Sequence, residues 1–318
     1  MMVKRHISVV ILVVAVIAIA LYLYHHEDLI AKFTNISLSA ALQLIGLRLL
    51  FWAVNGLILR EFAAKLRLQL KFREWFGLPA VTTMGNFISP LSGGLVARAG
   101  YLKLRHAFPY VQFASLLAAN YLVTFWIIGV VGFGVSVAFI ASPPHLPWQL
   151  AVCFLATVIG ITAVVVAPVG RVGGRNRLSR TLDNAIAGWI EIKKDHSMVC
   201  RFVLFNALNI LVNAVSFWIA YKAVGLQVSF LSALLISLLA FFSLLVNLTP
   251  GNLGVQEAIV SVSSQIIGPG AGEGLVVALL IRVATLVPAF ALGPIFTFLL
   301  ARELRIHESL RKTNGVET

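Results

Sequence analysis

Charge is what this sequence has least of. Only 12% of its 318 residues are charged, and Asp and Glu number 12 against 25 Lys and Arg. Soluble domains carry about 25% charged residues. That excludes a water-soluble fold over most of the length, and no stretch is long or polar enough for a separate soluble domain. Cysteine is nearly missing too. Cys153 and Cys200 sit in or beside apolar runs with no CxxC spacing, which excludes a disulfide framework or a cysteine metal site. There is no GxSxG, HExxH, P-loop or DxD-like acid pair. Only Glu257 and Glu273 are acids within the second apolar half, and neither stands beside a nucleophile. The expectation is therefore a protein that is not an enzyme and uses no cofactor or metal. The cluster His25-His26-Glu27-Asp28 reads as a wet membrane edge rather than a metal site.

What fills the chain is apolar: 59% of residues, with a mean hydropathy of +0.94. A helix needs about 20 apolar residues to cross a bilayer. The runs 7–24, 38–59, 113–141, 149–169, 201–221 and 274–300 meet that length, and two further regions, 75–107 and 231–268, are apolar but broken. Lys4 and Arg5 precede the first run. Tyr22, Tyr24 and His25 follow where a cleavage site would need small residues, so the run reads as an uncleaved first span. The expected fold class is all-α: a polytopic helical membrane protein in a single membrane domain, 1–318.

The net charge of +13 falls in short loops between spans, which marks cytoplasmic loops and anionic-lipid contact rather than nucleic-acid binding. Lys4 and Arg5, then Arg60, Lys65, Arg67, Lys71 and Arg73, then Arg171 to Lys194, then Arg302, Arg305, Arg311 and Lys312 all read as inside. The loops 25–37 and 142–148 read as outside. If 75–107 crossed once, the basic stretch 170–200 would land outside, so 75–107 is expected to enter and return from the inside. The same parity makes 231–268 a hairpin from the outside. The two halves, 1–141 and 149–300, then share one plan in opposite orientation, an inverted repeat. Residues 178–197 read as an amphipathic cytoplasmic helix and 301–318 as a cytoplasmic tail, with both termini cytoplasmic.

The two breaks are nearly the same sentence. Asn86-Phe87-Ile88-Ser89-Pro90-Leu91-Ser92-Gly93-Gly94 precedes Arg98-Ala99, and Asn247-Leu248-Thr249-Pro250-Gly251-Asn252-Leu253-Gly254 precedes Glu257-Ala258. Pro and Gly stop helices, and lipid tolerates broken backbone only where protein or a water-filled cavity shields it. One break per half points to a midplane transport site, with a plain structural kink as the competing reading. Helices restarting near Gly94 and Gly254 expose N–H groups and a partial positive charge, a ready anion site if they face each other.

Arg98 and Glu257 each sit one turn into a restarted helix, Arg282 lies inside the last span and Arg48 midway along the second. Ionisable groups at that depth are costly and point to function. Two readings stand side by side. One is a cationic cavity for a lipid phosphate, with Arg98 and Arg282 as ligands and Glu257 as counter-ion. The other is an Arg98–Glu257 or Arg282–Glu257 salt bridge locking the halves. Three arginines against one glutamate favour an anionic ligand, and Arg48 ranks below the other two. Asn86, Ser89, Pro90, Asn247, Thr249 and Pro250 complete the candidate site. Asn206, Asn209 and Asn213 share one helical face, either as a polar lane for a headgroup or as interhelical hydrogen bonds. Asn120 and Thr124 form a weaker stripe.

The residues Pro90…Gly94…Arg98-Ala99, then Asn247-Leu248-Thr249-Pro250-Gly251…Gly254-Val255-Gln256-Glu257-Ala258, then Arg282 and the Pro288…Gly293 span, resemble the flippase-like membrane domain. That is the transmembrane region of lysylphosphatidylglycerol synthase and of related stand-alone multi-pass proteins. The chain departs from it at Leu95, where the family often has Glu, and at Gln256, where it often has Arg. The resemblance implies transfer of lipids between leaflets of a cell inner membrane. Its implied substrates are aminoacylated phospholipids, polyprenyl-phosphate-linked lipids or hopanoid-type lipids, and its partners include enzymes of lipid synthesis. The expected function is a flippase for an anionic lipid. The alternative is a non-transporting scaffold for a lipid- or glycolipid-modifying enzyme. Without an ATP site, movement is downhill or ion-coupled, and Glu257 is the acid placed to carry a proton.

Overall fold

The structure is a computed structural model that describes residues 17, 21, 22, 24, 25, 29, 32, 35–65, 67–89, 92–142, 145–166, 195–245 and 249–313. In chain order its helices are α1 (Leu38–Lys65), α2 (Phe72–Trp75), α3 (Gly77–Ile88), α4 (Gly93–His106), α5 (Tyr110–Ala141), α6 (Trp148–Val166), α7 (His196–Ala223), α8 (Phe230–Phe241), α9 (Val255–Ile267) and α10 (Ala271–Thr313). Two 3-10 turns, Phe242–Leu245 and Pro250–Asn252, lie between α8 and α9. Among the described residues five helices, α1, α5, α6, α7 and α10, are long and apolar enough to cross a membrane. In hydrocarbon every backbone N–H and C=O needs an internal partner, and a helix supplies it. This is an all-helical, multi-pass membrane protein.

Most of the first span, Pro90, Asn247, the residues His26 to Asp28 and the expected amphipathic helix up to 194 lie outside the described residues. One boundary differs from the sequence reading. His196 and Ser197 belong to α7, whose first turn is capped by the Asp195 carboxylate accepting the Met198 N–H at 3.0 Å. The helix of the last span continues into the expected tail. After Pro294 nothing breaks the helix, and α10 runs on to Thr313.

The remaining helices are short and paired. α3 and α4 have 12 and 14 residues, and α8 and α9 have 12 and 13. At 1.5 Å per residue each spans about 18–21 Å, less than the roughly 30 Å of a hydrocarbon core. The pair α3–α4 starts and finishes at one end of the bundle. Glu74, just before α3, lies 2.7 Å from His106 Nε2 at the finish of α4 and accepts the Tyr101 hydroxyl at 2.8 Å. Ion pairs Lys65–Asp195 (3.4 Å) and Arg201–Glu61 (2.8 Å) bring the finish of α1 and the start of α7 together. Tyr101 also reaches Glu303 of α10. The pair α8–α9 has its outer ends together elsewhere: Tyr221, at the finish of α7, hydrogen-bonds Ser264 near the finish of α9. Lys32 pairs with Glu273 at 2.8 Å beside that second group.

The Glu74 cluster makes the fold sensitive to acid. Burial pushes the Glu74 carboxyl up, but hydrogen bonds from His106, the Lys71 N–H and Tyr101 outweigh it and hold it below the ordinary value of 4.5. A depressed carboxyl stabilises the fold above the unfolded value and loses that contribution as pH falls through the lower folded one. Acidifying from about pH 6 to about pH 3 is expected to lower the melting temperature of wild type more than that of Glu74→Gln, read by thermal unfolding in detergent.

Candidate functional site

The second break is a tight reversal. Thr249 is extended, then Gly251 (φ 59°) and Asn252 (φ 60°) are both left-handed, a conformation that Gly and Asn adopt most readily. The Thr249 hydroxyl donates to Leu253 O at 2.7 Å, and Asn252 Nδ2 donates to Ser243 O. Glu257, in the first turn of α9, accepts the Gly254 N–H on Oε2 at 2.7 Å and the Arg282 Nε–H on Oε1. Arg282 Nη1 then donates to Gly251 O at 2.8 Å. One guanidinium thus ties the turn, the start of α9 and the middle of α10 together.

At the first break, Ser89 leaves α3 extended and Ser92 (φ 60°) precedes α4. Gly94 presses on the backbone of α3. A Cβ placed on it would stand 1.9 Å from Thr82 O. Its N–H donates to Asn86 Oδ1 at 3.0 Å. The two breaks meet: Phe87 packs on Gly251, where a Cβ would lie 2.2 Å from the ring, and the Arg282 guanidinium sits 5.7 Å from the same ring.

At each helix start the glycine N–H is taken within the protein. The Gly94 and Gly254 N–H groups, read from sequence as anion donors, are bonded to Asn86 and Glu257 and offer nothing to a ligand in this structure. Of the two salt bridges left open, Arg282–Glu257 forms. Arg98 has no acidic partner among the described residues.

Two cavities flank this contact. The first, about 310 Å³, is lined by Arg98, Asn120, Tyr121, Thr124, Asn206 and Asn209, among others. Arg98 Nε, Asn209 Oδ1 and Thr82 Oγ1 are buried on it without hydrogen-bond partners, and the Arg98 guanidinium lies 5.9 Å from the Phe113 ring. The second, about 240 Å³, is lined by Arg48, Arg282, Asn86, Phe87, Gly251 and Gln256, among others. Arg48 Nη2 donates to Asn213 Oδ1 at 3.1 Å, while Arg48 Nε and Arg282 Nη2 are unpartnered. Phe51, Trp52, Thr83, Asn86 and Leu244 wall both cavities. No Asp or Glu lines either among the described residues. Glu257 itself faces away, onto Arg282 and its own helix start.

The asparagine stripe of α7 divides between its two readings. Asn206 bonds across to α5, at 2.6 Å from the Thr124 hydroxyl and 3.1 Å from Asn120 Oδ1. Asn213 holds Arg48. Asn209 keeps an unpartnered oxygen in the first cavity. Asn86 lies on both cavities; Ser89, Thr249 and Pro250 shape the turns and line neither.

The sequence profile described as the lysylphosphatidylglycerol synthase TM region matches residues 7–293. The chain belongs to that family. A comparison with curated proteins returned no match. In this chain, the two departures noted from sequence both fall on cavity walls, Leu95 on the first and Gln256 on the second. With Leu at 95, Arg98 faces a cavity without a resident acid. The sequence reading ranked Arg48 below Arg98 and Arg282 and did not count Phe87, Thr82 or Tyr121 in the site; all four line these cavities. A polar pair, Thr82-Thr83, inside the apolar run Pro79–Met84 was the available signal for one of them.

Proposed function

We propose that this protein carries lipids with an anionic headgroup between the leaflets of a cell inner membrane, with both termini cytoplasmic. The observation that carries the reading is that Arg98, Arg48 and Arg282 line cavities walled by no Asp or Glu among the described residues, and that each keeps a buried guanidinium nitrogen without a partner, Arg98 Nε, Arg48 Nε and Arg282 Nη2. Buried charge without a partner is expensive, and a phosphate-type group repays that cost with charge-assisted hydrogen bonds. The first cavity, about 310 Å³, stands at the lower end of the roughly 300–1,000 Å³ range of ligand sites, and the second, about 240 Å³, falls just below it. Family membership supports a role in lipid handling. The order of elements supports an inverted repeat: a span, a broken pair (α3–α4), a span, then two spans, a broken pair (α8–α9) and a span. We read both pairs as re-entrant hairpins whose tips meet at Phe87 and Gly251. Rocking of one half against the other then opens the site to each leaflet in turn.

The test is leaflet exchange in vesicles. Wild type is expected to exchange labelled phosphatidylglycerol faster than protein-free vesicles. Arg98→Ala is expected to bring exchange down to the protein-free rate while leaving the melting temperature nearly unchanged, because Arg98 makes no ion pair, and Arg98→Lys to restore part of it. Wild type at the protein-free rate contradicts the proposal and favours the scaffold reading.

A further inference from the structure

The first cavity does not stand alone. Beside it, between α5 and α6 and under the 3-10 turn Phe242–Leu245, lies a cleft of about 610 Å³. Its walls are apolar, chiefly Ala118, Leu122 and Phe125 of α5, Ala156 and Ile161 of α6, and Leu245 of the turn. Two residues, Tyr121 and Leu244, line both the cleft and the Arg98 cavity. α5 and α6 are in tight contact further along, where a Cβ on Gly129 would stand 2.7 Å from Val158 and one on Gly132 2.4 Å from Phe154. Trp126 Nε1 donates to Thr162 Oγ1 at 3.2 Å, so the helices stay linked beside the cleft, which runs along Ala118–Phe125 of α5 and Ala156–Ile161 of α6. At Gly160, on the cleft, a Cβ meets nothing within 4 Å.

A cavity with an unpaired guanidinium, sharing the wall residues Tyr121 and Leu244 with an apolar cleft, has the profile of one amphiphile. We propose that the α5–α6 cleft holds an acyl chain of the same lipid whose anionic headgroup is held at Arg98, with Tyr121 and Leu244 as the collar between the two compartments. This rests on the proposed function and adds to it. The cargo is a lipid held by its chain as well as its headgroup, rather than a free phosphate compound, and one chain stays inside protein rather than trailing in the bilayer. Adjacency to the Arg98 cavity across Tyr121 and Leu244 argues for this occupant. A bilayer lipid merely filling a surface dent has no reason to depend on Arg98.

The experiment uses the full chain in vesicles doped with phosphatidylglycerol or phosphatidylcholine bearing a photoactivatable diazirine in one acyl chain, with labelled peptides mapped by mass spectrometry. Residues 118–125 and 156–161 are expected to label preferentially with phosphatidylglycerol. Gly160→Leu fills open space, so the fold is expected to survive, which thermal unfolding checks. It is expected to cut cleft labelling about tenfold, as displacing roughly two methylenes from their seat requires. Arg98→Ala, which leaves the cleft intact, is expected to cut it too. Equal labelling by both lipids, unchanged by Arg98→Ala, overturns the inference. Because labelling reads binding, its failure is distinguishable from that of transport: wild type that exchanges phosphatidylglycerol while Gly160→Leu does so equally well sinks the cleft alone.

Discussion

Glu257→Ala is expected to destabilise the protein by about 3–5 kcal/mol, the usual cost of breaking a buried ion pair from one side. Glu257 is 2% exposed and Arg282 7%, so neither charge can turn to solvent. Removing the carboxylate strands the Arg282 guanidinium and also the Gly254 N–H at the start of α9. Glu257→Gln keeps an acceptor for Gly254 and is expected to lose less. Replacing both partners by apolar residues, Glu257→Leu with Arg282→Met, is expected to recover much of the loss, since a buried pair exchanged for packed hydrocarbon is often neutral. Recovery should stop short of wild type by about 1–3 kcal/mol, because Gly251 O loses the hydrogen bond it accepts from Arg282. Thermal unfolding of the four proteins in detergent measures these differences. Equal stability of Glu257→Ala and wild type would mean that the pair is not formed.

The second large effect is expected at Gly94. An alanine Cβ there would stand 1.9 Å from Thr82 O and 2.8 Å from Asn86 Oδ1. The first is backbone of α3 and cannot swing aside, so α3 and α4 must separate. Overpacking of this kind costs about 1–3 kcal/mol, occasionally more. The upper end is expected, because separation also breaks the Gly94–Asn86 hydrogen bond. Gly100, on the same helix, is the internal control. A Cβ there meets nothing within 4 Å. Gly100→Ala is expected to be neutral or to stabilise by about 0.5–1 kcal/mol, the gain from removing glycine from a helix interior. Opposite signs for two Gly→Ala changes six residues apart, read by the same unfolding scan, would show that α4 packs on α3 through Gly94.

The spans were legible because an apolar run of bilayer length has few other uses, and the breaks because Pro90, Gly93, Gly94, Pro250 and Gly251 interrupt such runs in matched places. Arg282–Glu257 was one of two pairings the sequence allowed. What decides between them is the angular setting of α10 against α9. The neighbours of Arg48 were not legible for the same reason. α1 is apolar on every side, so its sequence carries no phase to say that Arg48 faces Asn213 and the Arg282 cavity. The fate of the glycine N–H groups was also hidden. A helix start advertises free donors in sequence, but Asn86 and Glu257 are each close enough to take one, and only the turn geometry shows that they do. Tyr121 escaped notice because its role depends on two compartments whose walls come from separate segments of the chain.

The central claim is that Arg98 waits for an anionic headgroup beside the meeting point of the two breaks. Native mass spectrometry of the purified protein, equilibrated with equal amounts of phosphatidylglycerol and phosphatidylcholine, tests it most directly. Wild type is expected to retain phosphatidylglycerol in preference, and Arg98→Ala to lose that preference while unfolding at nearly the same temperature. Equal retention of both lipids by wild type, or an undiminished preference in Arg98→Ala, would contradict the account.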